Sequence, residues 1–457
     1  MTKKTMKGVL ALLSCASILA LNGCGEIASA QQGLWQSESV NKMHADGVTA
    51  EEETSIYDSL DLSIFDLDRY DNEKYLQYYW ESGIMYNEAA TLVTNQDGTL
   101  DDVKLLYTPE KIISVRSADL QTKYVEGVDY TFENGVLKVL QSGNIPVLAY
   151  DNMYFETNPG QNASGGSTVE GNVGVKAFPT LDGKYEVYIE NNSDLNRYQI
   201  AVTYYHKDVA NYTVPTTQSR EFSRLIGKLE QGENVNIACL GDSISNGTGA
   251  TGNQELQPYS PNYFGLFGDY IKEKFNYKKV CLYENPEYYV ADEENESQRI
   301  KMTNFSVGGK DSYWGVTQAE AVSAVCPDLV ILGFGMNDGS AYTDATAYDA
   351  NIKKIVETIR KSNPECAFVL VSTMLPNKNM SYTVGGASVY GNQEKYLPKL
   401  QQFASEEAGV VVADITTLHK EYLEVKNFRD MTANNINHPN DFLVRLYAQT
   451  IVKTIFG

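Results

Sequence analysis

Four histidines and three tryptophans are all that 457 residues contain. Chemistry that needs an imidazole must draw on His44, His206, His419 or His438. Basic charge is in deficit: 37 Lys and Arg stand against 59 Asp and Glu, a formal net charge of −22. Nucleic-acid-binding surfaces usually carry a basic face, so that partner class is excluded. Apolar runs are short. Val9 to Leu21 is too short to span a bilayer as a mature helix, and no other long apolar segment exists. Cysteine is sparse, and the spacing of Cys239, Cys281, Cys326 and Cys366 fits no zinc pattern. Each of the four lies in or beside an apolar strand-like run, which reads as a free buried thiol. Asp58, Asp61, Asp66, Asp68 and Asp71 lack the spacing of a calcium loop and read as a solvated acidic face. No metal or organic cofactor is implied.

What is present begins with an address. Lys3, Lys4 and Lys7 precede the apolar run, which ends in Leu21-Asn22-Gly23-Cys24. This resembles the lipobox of bacterial lipoproteins, which implies cleavage before Cys24 and lipid on its thiol. An ordinary secretory signal cut near Ala28-Ser29-Ala30 is the other reading. Either one implies export, with lipid as the only membrane anchor.

The length suits two domains, and an aromatic content of 11% argues against a disordered chain. Residues 1–23 read as signal and residues 24–57 as an acidic tether. Residues 58–215 read as an all-β sandwich or jelly-roll. There Asn134-Gly135 separates two β runs, a hairpin signal. The segment KYEVYIENNSDLNRYQIAVTYY reads as a strand pair, and residues 158–174 as a long loop. The 32 tyrosines suit either sugar contact or β-rich cores. From residue 216 to 457 apolar strands, near 235–240, 279–283, 328–333, 367–372 and 409–413, alternate with helices near 262–276, 345–362, 392–407 and 441–455. That grammar predicts a doubly wound, flavodoxin-like parallel sheet, whose ligands bind at the carboxyl ends of the strands.

Four motifs fall at those ends. Gly241-Asp242-Ser243 follows the first strand and presents a hydroxyl, or else caps a helix. Asn304-Phe-Ser-Val-Gly308-Gly309 offers glycines for close backbone approach. Gly335-Met-Asn337-Asp338 places a side-chain amide where it can donate to an oxyanion, or forms a turn. Asn435-Ile-Asn-His438 puts a histidine in a polar loop before the last helix. The stretch Gly247-Thr-Gly249-Ala-Thr-Gly252 matches the dinucleotide fingerprint, but it neither follows its strand directly nor opens a helix; a loop bordering the site fits better.

Together and in this order the four motifs resemble the GDSL/SGNH hydrolases over roughly residues 230–457. The resemblance implies Ser243 as nucleophile and His438 as base. It implies an oxyanion hole from the Ser243 N–H, Gly309 and the Asn337 amide; Gly309 is chosen over Gly308 by its offset from Asn304. That family usually has Asp three residues before the histidine. Here the position holds Asn435, so Asn435, Asp430 and Asp441 are the candidates for orienting His438. The two-domain plan is similar to bacterial carbohydrate acetyl esterases, which implies a surface-anchored serine esterase acting on acetylated poly- or oligosaccharide. Two alternatives stand: a lipase or phospholipid esterase, and a non-catalytic glycan-binding lipoprotein.

Overall fold

The six-stranded sheet at the centre of the C-terminal half is parallel throughout, with strand order β10-β11-β9-β12-β13-β14. Its strands are β9 (Val235–Gly241), β10 (Lys279–Tyr283), β11 (Arg299–Asn304), β12 (Leu329–Gly333), β13 (Ala367–Val371) and β14 (Val410–Ala413). The computed structural model describes residues 61–156, 177–188, 195–207, 212–288, 298–382 and 385–457. The signal-like segment, Cys24, His44, the tether and the predicted loop 158–174 lie outside the described residues. Among the described residues, no helix is long and apolar enough to cross a membrane.

Continuous apolar runs such as VNIACL and AFVLV become inner strands because helices cover both faces of the sheet. Five of the six strands match the sequence pattern. β11 does not, because Arg299 and Lys301 make RIKMTN read as a surface segment. Both side chains are buried in the fold. Helices Tyr263–Lys274, Ala345–Arg360, Leu397–Glu406 and Asp441–Phe456 lie where the periodicity predicts them, while Ser312–Ala324 and Ile415–Tyr422 are additional.

The N-terminal region is antiparallel, in small sheets. β1 (Ile84–Thr91), β8 (Gln199–Tyr205) and β2 (Lys111–Ser117) form one sheet in the order β1-β8-β2. β3 (Tyr130–Glu133) and β4 (Val136–Val139) form the predicted hairpin, with Asn134 and Gly135 both at positive φ. β5 (Tyr154–Glu156), β7 (Tyr185–Tyr188) and β6 (Ala177–Pro179) make a third sheet. The expected pairing of β7 with β8 does not occur: β7 joins β5 and β6, and β8 joins β1 and β2. Asp66 is bonded to Arg116 and Lys123, while Asp61 and Asp71 cap helical turns. Cys239 and Cys366 are buried, Cys281 is half-buried and Cys326 is exposed; all four are free.

One hydrophobic core runs through both halves, joining Tyr79, Met85, Val115 and Tyr204 to Ile237, Phe264, Phe442 and Ile451. The cause is the last helix, DFLVRLYAQTIVKTIF, which is buried on nearly every side and whose Arg445, Gln449 and Lys453 find polar partners in the N-terminal region. The β sheet and the helix Tyr263–Lys274 cover part of it. N-terminal residues cover the rest. Gln449 Nε2 donates to the Tyr75 and Gln77 carbonyls, both at 2.8 Å. Arg445 is buried with its guanidinium over the Tyr75, Tyr79 and Phe442 rings and donates to the Tyr86 carbonyl. Nearby, Lys426 and Glu88 form an ion pair at 2.6 Å with both side chains fully buried; Glu88 also accepts from the Leu106 N–H and the Tyr204 hydroxyl.

Candidate active site

β9 sits between β11 and β12, where the chain's winding reverses direction, so its carboxyl end opens onto the crevice of the sheet. Gly241 ends the strand with no room for a side chain. A Cβ there would stand 2.3 Å from the Gly333 carbonyl oxygen and from Ser245 Oγ. Asp242 is extended, and its carboxylate accepts from the Ile244 N–H at 2.9 Å, starting the helical turn Ser243–Asn246. Ser243 is thereby lifted above the sheet.

Its Oγ lies 2.9 Å from His438 Nε2. Serine and histidine, 195 residues apart in the chain, are joined at the strand ends. Burial pushes the His438 imidazole down to about 4. His419, by contrast, is buried in the helix Ile415–Tyr422, where its Nδ1 accepts from the Leu375 N–H, and burial pushes it down to about 3. His206 stacks flat on Tyr107.

The second motif is strapped to the serine turn. Asn304 Nδ2 donates to the Ser245 carbonyl, and Asn246 Nδ2 to the Ser306 carbonyl, each at 3.0 Å. A Cβ on Gly308 would stand 3.6 Å from Ser243 Cβ, whereas one on Gly309 would meet nothing within 4 Å. Gly309 is at φ +75°, so its glycine serves a left-handed backbone rather than close approach. Asn337 follows Gly335, itself at φ +128°, and its Nδ2 donates to the Lys310 carbonyl at 2.8 Å. That bond uses one of the two amide hydrogens and orients the other. Asp338 beside it is buried and accepts from the Ser312 N–H and hydroxyl; burial pushes its carboxyl up to about 6.

None of the three candidates for orienting His438 reaches it. Asn435 is at φ +55° and meets Asn377, whose Nδ2 donates to the Asn435 carbonyl at 3.0 Å. Asp430 accepts from the Thr91 and Asn427 N–H groups. Asp441 accepts from the Thr251 N–H and hydroxyl. The residue on His438 Nδ1 is Asn434, with Nδ2 at 2.9 Å. The spacing of three was misleading because the loop makes an Asx-type turn. Asn434 Oδ1 accepts from the N–H groups of Ile436, Asn437 and His438, folding the side chain back along its own loop. The signal in the sequence was the Asn-rich run itself.

Two further supports hold the histidine loop. Gly249, at φ +103°, packs so closely that a Cβ would stand 2.1 Å from the Pro439 carbonyl oxygen and 3.4 Å from His438 Cβ. Gly249 of the fingerprint-like stretch therefore backs the His438 loop. From the β region, Thr91 Oγ1 donates to the Arg429 carbonyl at 2.7 Å and Gln199 Nε2 to the Thr432 carbonyl at 3.0 Å. Asn440 Nδ2 donates to Gln199 Oε1 at 3.3 Å.

A doubly wound parallel sheet flanked by helices, with a bonded serine–histidine pair at its strand ends, has the architecture of an SGNH-type α/β hydrolase domain. Residues 239–442 match the model of the GDSL-like Lipase/Acylhydrolase family. No curated protein matches the chain. Among solved structures, a two-domain esterase (CEX) active on acetylated mannans is 22% identical, with a TM-score of 0.37, covering 52% of this chain and 54% of its own. This chain thus spans about half the length of that protein. A lipolytic protein of the G-D-S-L family from Veillonella parvula DSM 2008 is 18% identical, with a TM-score of 0.34, covering 48% of this chain and 96% of its own. A carbohydrate esterase family 3 protein from Talaromyces cellulolyticus is 18% identical, with a TM-score of 0.33, covering 48% and 94%.

Proposed function

We propose that the protein is a serine hydrolase of carboxylic esters, acting on O-acetyl groups of poly- or oligosaccharide outside the cell. The observation that carries this reading is the 2.9 Å contact of Ser243 Oγ with His438 Nε2, beside a glycine loop and the Asn337 amide. Ser243 Oγ attacks the ester carbonyl carbon as its proton passes to His438 Nε2. The Ser243 N–H, the Gly308-Gly309 backbone and the free Asn337 N–H stabilise the oxyanion. Collapse expels the alcohol, which takes the proton from Nε2. Water then attacks the acyl-serine, giving its proton to Nε2 and releasing the acid and Ser243.

Sugar is favoured over lipid by the loop 377–391. Asn377 ties it to the histidine loop, its N–H donating to the Ile436 carbonyl at 2.8 Å. The loop is polar, Gly-rich and Tyr-bearing in sequence, and Tyr382 is exposed. Acetate release from a panel of acetylated glycans, set against long-chain esters, tests the reading. Wild type is expected to deacetylate glycan and Ser243→Ala to fall to the background rate. Release unaffected by Ser243→Ala in a folded protein refutes it.

Export and anchoring through Cys24 belong to the same proposal and rest on the Leu21-Asn22-Gly23-Cys24 pattern. Cys24→Ser is expected to leave the protein unprocessed or free of the membrane fraction. Normal processing and membrane retention of that variant would remove the anchor.

A further inference from the structure

We propose that Asn434 is the positioning residue for His438, and that it holds the imidazole with its proton on Nε2, the form that cannot take the proton of Ser243. The kinetic consequence rests on the ester-hydrolase reading; the tautomer does not.

The amide's orientation is fixed by its own loop. Asn434 Oδ1 accepts from the N–H groups of Ile436, Asn437 and His438 at 3.1, 3.0 and 3.0 Å. Three converging donors require an acceptor, so the oxygen must face them. Turning the amide over would aim an NH₂ group at three N–H groups and leave all of them without a partner. The NH₂ group therefore faces the ring. Its two hydrogens are both used, on His438 Nδ1 at 2.9 Å and on Asn437 Oδ1 at 3.1 Å.

An amide nitrogen only donates, so Nδ1 must offer its lone pair. In neutral imidazole the single proton then sits on Nε2. Nε2–H points at Ser243 Oγ, and the serine accepts where general-base chemistry needs it to donate. Two species are opposed by the same contact. The productive tautomer, with the proton on Nδ1, sets N–H against N–H at Asn434. So does the imidazolium that forms when the serine proton arrives. Carboxylates on the neighbouring elements do not offset this. Asp441 is bonded to Thr251, Asp430 to Thr91 and Asn427, and Asp242 to the Ile244 N–H. Burial pushes the ring down to about 4, and the Asn434 contact, which offers no acceptor to Nδ1–H, opposes the imidazolium as well.

The protein is thus a hydrolase slowed at one position, and a single isosteric change should release it. In Asn434→Asp, one carboxylate oxygen keeps the three backbone N–H groups. The other accepts Nδ1–H, after Asn437 turns its amide to donate. Exchanging acid for amide at this place in a serine–histidine–aspartate site costs about 10⁴ in kcat through the wrong tautomer. The reverse change is expected to raise kcat by between ten-fold and about 10⁴-fold.

Two measurements on the full chain test this. Nitrogen-15 NMR of the histidine-labelled protein at pH 7, with His438→Gln for assignment, is expected to show the His438 proton on Nε2. A proton on Nδ1 overturns the proposal, whatever the enzyme does. Kinetics of wild type and Asn434→Asp on nitrophenyl acetate from pH 4 to 9 are expected to show the rise in kcat with little change in KM. The acid limb should move up by at least one pH unit. A folded variant with kcat and acid limb unchanged also overturns it. If neither protein hydrolyses any ester, the hydrolase reading fails, and the NMR result alone decides the tautomer.

Discussion

Gly249→Ala puts a methyl group where the loop behind His438, the proposed base, has no space. The added Cβ would stand 2.1 Å from the Pro439 carbonyl oxygen, 3.2 Å from its carbonyl carbon and 3.4 Å from His438 Cβ. The first two are backbone atoms, so no rotamer change relieves them. Reaching ordinary contact requires a separation of roughly 1 Å or more between the two loops. Pro439 follows His438 directly, so the imidazole moves with it, and a 2.9 Å contact to Ser243 stretched by that amount ceases to be a hydrogen bond. A displacement of about 1 Å at reacting groups costs about 10² in rate. Overpacking adds about 1–3 kcal/mol of destabilisation, and alanine at φ +103° about 1–3 kcal/mol more. Gly98→Ala is the control. Gly98 is also at positive φ, but a Cβ there meets nothing within 4 Å, so it suffers backbone strain alone. The assay is kcat/KM on nitrophenyl acetate together with urea unfolding of both variants. Gly249→Ala is expected to fall about a hundred-fold in kcat/KM while Gly98→Ala keeps wild-type activity. A Gly249→Ala protein with wild-type kinetics and stability would refute the close packing and the role given to the glycine loop.

Two other outcomes follow from the same geometry. Gln199→Leu removes the donor to the Thr432 carbonyl and one of two partners from both the Arg429 carbonyl and Asn440 Nδ2, leaving the Thr432 carbonyl buried without its bond. It should cost on the order of 3 kcal/mol and lower kcat at least ten-fold by loosening the histidine loop; unchanged values on both counts would show that the β region only leans on the loop. Asp242 is pushed up to about 7 by burial, so between the unfolded carboxyl range near pH 4 and about pH 7 the folded state keeps a proton that the unfolded state releases. Its contribution therefore lowers stability as pH rises through that window. Asp242→Asn keeps an acceptor for the Ile244 N–H without the charge, so it should gain on wild type by up to about 1.4 kcal/mol per pH unit from pH 4 to 7. Urea midpoints at pH 4.5 and 7 check this, and a pH-independent difference would contradict the assigned cause.

Much of the site was legible because its residues serve local needs that sequence displays. Buried parallel strands must be apolar, so their ends are visible, and ligands gather at those ends. Ser243 and Asn337 each follow such an end and His438 precedes the last helix, whereas Asn304 and Gly309 stood out by their motif alone, because the strand that leads to them is β11. Asn434 was not legible by spacing. Its role depends on a side chain folding back onto three N–H groups of its own loop, and the four-residue interval has no meaning until that turn is made. β11 was missed because buried charge mimics surface, and the buried Glu88–Lys426 pair is invisible in sequence for the same reason.

By itself the sequence determined the parallel sheet and the order of its motifs, because hydrophobic period and turn chemistry are local properties; the serine and histidine entered through the family those motifs resemble. Tertiary structure decided the rest. It decided that β7 and β8 part company, because each completes a different sheet. It decided that the β region is built into the hydrolase fold, because a last helix buried on nearly all sides is covered from both halves, its Arg445 and Gln449 bonded to N-terminal carbonyls. And it decided which atom faces His438 Nδ1, because that is set by where three backbone N–H groups converge on Asn434, a matter of direction in space that no spacing along the chain encodes.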